Sequence, residues 1–456
     1  MPSAFIYLGV MLGVILVWFL LLKRPIYEAI LLSFIALVAV TNTWSSVFEY
    51  FKSGLQTSLI YSMTVFVLMS VILTKTKMID GAVSLILALL GRVPGGAGYV
   101  SVVASSFMGA LSGSGPGNVM ATGVITIPAM KKSGFPAELA ANIESASSYL
   151  GNMIPPSSNI VAALGAFAAL YPTVEMTSGQ FWIVCWGCAL WFIIQRLVTV
   201  FAFCKYYKVK PLPREEIPNI KETFKKSWQG LLLPIIILFP FVFDYLFKDN
   251  LLTNRLGAEG AKYLSSSLLF FIAGIAVVYA IIVIKDKKQV TPHKIAKMIS
   301  GSVKSISPAI VACIFGYMVG ALFISLNVTG ELQVFISELN LGRFGLCLII
   351  PLIACFMGML IPGSSIVVIF GPVFISLLAS VGANPILVAA MLPCICGVMC
   401  GITPPLGLGM YAGMSLAESD FSKTFKNNLW WVGAQFVLEV VVLMGWLPIL
   451  GLGGIG

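Results

Sequence analysis

The sequence is poor in charge. Asp, Glu, Lys and Arg make up 10% of its 456 residues, against about 25% in an ordinary soluble domain. It holds one histidine, His293, within a basic stretch. There is no His-Glu-x-x-His pattern and no pair of Asp residues inside an apolar run, so an intramembrane hydrolase has no sequence basis. The nine cysteines (185, 188, 204, 313, 347, 355, 394, 396 and 400) lie in or beside apolar stretches, and no disulfide framework is readable. Cys394, Cys396 and Cys400 are close in sequence but have no His nearby, and read as small buried hydrophobes rather than a metal site.

What the chain has is apolar surface. Hydrophobic residues make up 59%, and the mean hydropathy is +0.98. No soluble fold of this length hides that much. The chain therefore reads as an all-α polytopic membrane protein, which excludes soluble enzymes, DNA-binding proteins and secreted disulfide scaffolds. Phe5 to Leu22 is long enough to span and lacks a small-residue cleavage site, so it reads as a first spanning helix rather than a signal peptide.

A span needs about 20 apolar residues. Candidate spans are 2–22, 26–42, 58–75, 137–171, 180–204, 229–247, 266–285, 307–328, 385–417 and 428–449. Two of these, 137–171 and 385–417, are too long for one crossing and carry Pro-Pro in the middle. They read as broken helices. Regions 96–131 and 343–381 each hold two apolar helices around a Gly/Ser/Pro cluster, Ser112 to Gly117 and Pro362 to Ser365. We read both as re-entrant hairpins. With the N-terminus outside, that reading puts 22 of the 28 Lys and Arg inside and both termini outside, the bias that sets membrane orientation. Residues 43–57 and 291–304 read as interfacial helices. Arg196 reads as snorkelling to the basic end of its span, and Asp244 as interfacial.

The two hairpins then enter from opposite sides, which predicts an inverted repeat. Sliding the chain by 249 residues lays Phe107-Met108-Gly109 on Phe356-Met357-Gly358, and Pro155-Pro156 on Pro404-Pro405. The expected organisation is a first repeat over 1–206, a basic linker over 207–228 and a second repeat over 229–456.

Broken helices leave backbone N–H and C=O groups without partners at the break. The N–H ends suit anions, and carbonyls with hydroxyls suit a hard cation. Each tip is expected to meet the break that follows it. The candidate cation residues are Ser112, Ser114, Asn118, Gly151, Pro155, Ser157, Gly358, Pro362, Ser364, Gly401, Thr403 and Pro404. Substrate candidates are Ser114, Asn118, Asn152, Ser157, Ser158, Ser364, Ser365 and Thr403, and Thr122 and Asn159 add polarity to the first cleft. Glu144, inside the first broken helix, is a candidate for a proton or cation, or for an inter-helix hydrogen bond. Neither cleft holds a Lys or Arg.

These motifs carry a resemblance. Ser112-Gly113-Ser114-x-x-x-Asn118, Gly123-x-x-x-Ile127-Pro128-x-Met130-Lys131 and Gly151-x-x-Ile154-Pro155-Pro156-Ser157 resemble the large membrane subunit of tripartite ATP-independent periplasmic (TRAP) transporters. Gly358-Met359, Pro372, Gly401-Ile402-Thr403-Pro404-Pro405-Leu406-Gly407 and the stretch Asp420 to Trp431 agree. The resemblance implies an elevator-type secondary transporter of the bacterial inner membrane. It implies Na⁺-coupled import of an organic acid such as a C4-dicarboxylate, sialic acid or a sulfonate, with Na⁺ as coupling ion and no cofactor. It also implies two partners: an extracytoplasmic substrate-binding protein and a small four-helix membrane subunit, here a separate chain. The rival reading is a stand-alone citrate or divalent-anion symporter, whose Ser-Asn-Thr triplet is missing from both tips.

Overall fold

The computed structural model describes residues 3–56, 60–61, 64–65, 68–69, 72–73, 78–112, 115–174, 176–284, 291–338, 341–359, 361–404 and 406–452. Among these residues the regular structure is all helical. Among the described residues, four helices are long and apolar enough to cross a bilayer: Ser178–Tyr206, Ser227–Phe247, Gly363–Ser380 and Pro385–Ile402. A bent pair, Ala137–Met153 and Ser158–Leu170, meets at 41° and makes a fifth. The remaining apolar elements are shorter helices, including Ile26–Thr41, Ile310–Ser325 and Arg343–Gly358.

The second and third helices, Ile26–Thr41 and Val47–Gln56, pack against the 34-residue helix Pro292–Ser325. That helix starts at an N-cap, with Thr291 Oγ1 accepting from the Lys294 N–H, and runs on without interruption. Residues 291–304 thus form the polar first part of this helix, ahead of its apolar stretch Ile310–Ser325, rather than a helix of their own. The helix Ile220–Phe247 likewise starts inside the expected linker, capped by Asn219. The last helix is Phe421–Leu443, earlier than 428–449, and the chain beyond it folds back on Ser178–Tyr206, where Trp191 Nε1 donates to Pro448 O at 3.0 Å.

Two helices lie outside the expected spans, Met78–Leu90 and Val328–Glu338. Each precedes a hairpin, and their starts, 78 and 328, are 250 residues apart. The first packs along Ile220–Phe247, and the second on the first helix, Ser3–Ile15. At 13 and 11 residues, both fall short of the length that reads as a span in sequence.

The first hairpin runs through Gly96–Val100, the wide π turn Ser101–Ser105 and Ser106–Ser112, and returns as Gly115–Lys132. The second is Arg343–Gly358 and Gly363–Ser380. The first broken helix is Ala137–Leu150, a 3₁₀ turn Gly151–Met153, and Ser158–Leu170. The second is Pro385–Leu392, a π segment Pro393–Val398, Met399–Ile402, and then Leu408–Ala417. Proline explains these breaks, because Pro393 and the Pro155-Pro156 pair cannot donate to the preceding turn. The Pro155–Pro156 bond is cis.

These four elements interlock across the halves. The helix Ala137–Leu150 packs on Leu408–Ala417, and Ser158–Leu170 packs on Gly363–Ser380. They form the buried centre of the molecule. The flanking helices instead present large apolar side chains outward, among them Phe239 and Val242 on one, and Phe271 and Ile282 on the next. Water would penalise such a face, and hydrocarbon does not.

Candidate functional site

The repeat identities are explained by contact. A Cβ at Gly109 would stand 2.3 Å from Ser148 O, and one at Gly151 would stand 2.3 Å from the Gly109 carbonyl carbon. In the second half a Cβ at Gly358 would stand 1.6 Å from Cys400 Sγ. Positions 109 and 151 map onto 358 and 400 under the same shift of 249. Each hairpin limb thus crosses the following broken helix at a glycine, close enough to exclude any side chain. The second crossing is closed by the Leu406 N–H donating to Met359 O at 3.2 Å.

Ser112 ends the first hairpin's entering limb. Ser114 falls outside the described residues, as does Pro405. Asn118, on the first turns of the return limb, is buried and donates to Ser105 O at 2.8 Å and to Ser148 Oγ at 2.9 Å. Ser157 caps the second half of the broken helix, accepting from the Asn159 N–H at 3.2 Å. Gly151, Asn152 and Pro155 lie buried in the break, and Ser158 is half-buried at its far side. In the second half, Pro362 precedes the return limb and Ser364 is half-buried. Ser365 is buried. Gly401 and Thr403 end the broken helix's first part, with Thr403 Oγ1 donating to Met399 O, and Pro404 follows.

The two breaks meet at the centre. A Cβ at Gly397 would lie 3.5 Å from Asn152 Nδ2 and 3.8 Å from Asn159 Nδ2. Asn152 and Asn159 of one half therefore face the π segment of the other. The second break is opened by Gly407, whose φ of +26° places the next helix. Here a backbone turn takes the place that Ser157 fills in the first half.

Glu144 is not at a tip. It is completely buried and accepts four hydroxyls: Thr122 at 2.5 Å and Ser148 at 2.9 Å on Oε1, and Ser101 at 2.8 Å and Thr126 on Oε2. Thr122 belongs to this cage, and its hydroxyl also lies 2.8 Å from Asn118 O. Ser101 and Thr126 were not singled out in the sequence. A signal was available, because Ser101/Ser105, Thr122/Thr126 and Glu144/Ser148 are each spaced i, i+4 and so share a helix face.

Two other ionisable residues differ from their sequence reading. Arg196 does not snorkel. It is 1% exposed and donates to Ala146 O at 3.3 Å, Gln195 Oε1 at 2.5 Å and Gln435 Oε1 at 2.6 Å. Gln435 in turn donates to Glu439 at 2.8 Å. Carbonyl partners inside the bundle made burial of the charge possible. Asp244 is buried rather than interfacial, and accepts from Ser265 Oγ at 2.6 Å across two helices. Tyr149 also escaped notice, and its ring fills the slot between Gly115, Gly401 and Gly409. Among the described residues no group of three or more His, Cys, Asp or Glu is placed to hold a metal ion.

Two crossing hairpins and two broken helices, buried together inside an apolar helical surround, define a membrane transporter fold. The same fold is seen in MtrF of Neisseria gonorrhoeae, solved in a study of antimetabolite efflux pumps, with a TM-score of 0.66 at 16% identity, covering 91% of this chain and 85% of that one. Residues 5–450 match the model of the DctM component of the tripartite ATP-independent periplasmic transporters, and the chain belongs to that family. Relatives include the C4-dicarboxylate TRAP transporter large permease protein DctM of Vibrio cholerae, 27% identical over 84% of this chain and 85% of its own length. The sialic acid TRAP transporter large permease protein SiaM of the same organism is 23% identical over 95% of this chain and 96% of its own. The chain is thus a TRAP large permease subunit, a multi-pass protein of the inner membrane.

Proposed function

We propose that this permease imports a small organic acid, a carboxylate or sulfonate, coupled to a Na⁺ gradient by an elevator movement of the central body. The substrate is delivered by an extracytoplasmic binding protein, and a small four-helix membrane subunit completes the carrier. The observation that carries the reading is the paired crossing of Gly109 on Gly151 and Gly358 on Cys400. Each crossing brings a hairpin limb against a helix break, where backbone carbonyls and hydroxyls can take the place of a cation's hydration shell.

In this reading Ser112, Ser114, Asn118, Gly151, Pro155 and Ser157 hold one Na⁺, and Gly358, Pro362, Ser364, Gly401, Thr403 and Pro404 hold a second. The acid lies between them, near Asn152, Ser158 and Ser365. Helix N-termini and the bound cations supply the positive field that no Lys or Arg supplies at this site. The interlocking of the four elements across the halves supports movement as one body.

The test is uptake into proteoliposomes holding the permease and its small subunit, with the binding protein outside. Labelled succinate, sialic acid and a short sulfonate serve as probes. The reading predicts uptake of one probe that requires an inward Na⁺ gradient and the binding protein. Uptake of a probe that is indifferent to Na⁺, or that needs no binding protein, overturns it.

A further inference from the structure

We propose that Glu144 is a proton-binding site, built so that its carboxyl group is fully hydrogen-bonded both ionised and neutral. The ionised form is satisfied by the four hydroxyls of Thr122, Ser148, Ser101 and Thr126, two on each oxygen. A neutral carboxyl must donate one hydrogen bond, so a neighbour has to surrender its own hydrogen. Both threonines can do so. Thr122 Oγ1 lies 2.8 Å from Asn118 O, and Thr126 Oγ1 lies 3.1 Å from Thr122 O, one helical turn back. A hydroxyl rotates to suit its partners. The proton therefore arrives on either oxygen without leaving a buried polar group unpaired, the event that is costly in a low-dielectric interior.

The same distances argue against a cation here. Oxygen-ligated hard cations need ligands at about 2.3–2.6 Å from the ion, with the oxygens spread around it. The Thr122, Ser148 and Ser101 oxygens already stand 2.5 to 2.9 Å from the carboxylate oxygens themselves. No ion fits between them.

The charged groups on the elements packed against this helix are engaged elsewhere, Lys132 with Glu216 Oε1 at 2.6 Å among them. Lys131 donates to Ala417 O at 2.9 Å. Arg196 is held by Ala146 O, Gln195 and Gln435, and Glu439 by Gln435 and Cys394. Tyr149 faces Gly401 and Gly409, and Cys400 faces Gly358. Lys205, Lys423 and Lys426 are exposed at helix ends.

The cage is wired to the hairpin tip. Ser105 Oγ donates to Thr122 Oγ1 at 3.1 Å, and Asn118 spans Ser105 O and Ser148 Oγ. Turning the Thr122 hydroxyl toward Asn118 O changes the hydrogen bonding of the first turns behind the tip. Protonation of Glu144 thus biases the first tip, a consequence that rests on the transport reading, whereas the proton site rests on the cage alone.

The test is infrared difference spectroscopy of the purified full chain in detergent on acidification. We expect a carbonyl band of a protonated buried carboxyl group in the wild type that is absent in Glu144→Gln. Thr126→Val removes one of the two hydroxyls that can accept from the neutral carboxyl, so the frequency of its band should shift from that of the wild type. A wild-type spectrum indistinguishable from that of Glu144→Gln overturns the proposal. If Glu144→Gln does not fold, Thr126→Val decides, and an unmoved band overturns the proposal. Failure of wild-type uptake in proteoliposomes sinks the transport reading and leaves this result standing.

Discussion

The ring of Tyr149 occupies the place where a side chain at Gly401 would stand: a Cβ there would lie 1.7 Å from Tyr149 Cε1. The first broken helix thereby keys into the second, and the ring is also closed in by Gly409, 2.2 Å from a Cβ built there. Ser145 Oγ adds a hydrogen bond to Gly409 O at 2.7 Å. Overpacking a filled site costs about 1–3 kcal/mol. Gly401→Ala should therefore lower the thermal unfolding temperature in detergent, and Tyr149→Ala in the same chain should recover part of that loss by opening the slot. An unshifted melting curve for Gly401→Ala would show that the keyed contact does not form.

The buried chain from Arg196 through Gln435 to Glu439 makes a second prediction. Removing one member of a buried charged network leaves the other charge uncompensated, at a cost of about 3–5 kcal/mol. Arg196→Met should destabilise the protein by that order, and Gln435→Leu, which cuts the bridge between the two charges, should do so as well. The double variant Arg196→Met/Glu439→Met should be less destabilised than Arg196→Met alone. Unfolding of the three variants and the wild type, compared as a cycle, checks this.

Glu331 supplies a pH prediction. It holds the start of the first helix, accepting from the Ser3 hydroxyl at 2.5 Å and the Ala4 N–H at 2.8 Å. The Ser3 hydroxyl first, and then the Ala4 N–H, lower its carboxyl below the usual value of 4.5. A lowered acid contributes its stabilisation in full above the unfolded value and loses it as pH falls through the folded one. Protection of the first turn of Ser3–Ile15 against hydrogen exchange should thus be constant from pH 8 to about pH 5 and fall only in acid. Glu331→Gln should show the reduced protection already at neutral pH. Protection in the variant equal to wild type would contradict the contact.

Much of this architecture is legible in the sequence, because lipid leaves few alternatives to helices. Pro155-Pro156 and Pro404-Pro405 announce their breaks through a missing N–H, which is a local property. Phe107-Met108-Gly109 and its copy at Phe356 announce the crossings, because a close approach of two backbones needs glycine in both halves. The rest depends on which faces meet. Thr126 and Ser101 are ordinary hydroxyls until folding turns them toward Glu144, and Tyr149 becomes a key only when glycines from three elements surround it. Arg196 sits near a basic helix end in sequence, yet its guanidinium finds carbonyl oxygens inside the bundle. Val328–Glu338 is too short to register as a span, although the position of Met78–Leu90 in the other half foretells it.

Ser157 tests the first cleft at low cost. As an N-cap its replacement by Ala should cost about 1 kcal/mol in stability, a value independent of the ion present if capping is its whole role. If Ser157 also holds Na⁺, the loss should be larger in Na⁺ than in choline. Equal losses in the two salts would assign it to capping alone.

The central claim is that the tips and breaks bind Na⁺. It is tested most directly by thermal stability of the purified permease with its small subunit, titrating Na⁺ against choline at constant ionic strength, with Li⁺ and K⁺ alongside. A ligand that binds only the folded state raises stability with the logarithm of its concentration above its dissociation constant. The account predicts a Na⁺-specific rise that is reduced in Ser157→Ala and in Thr403→Val. Superimposable curves in Na⁺ and choline would contradict it.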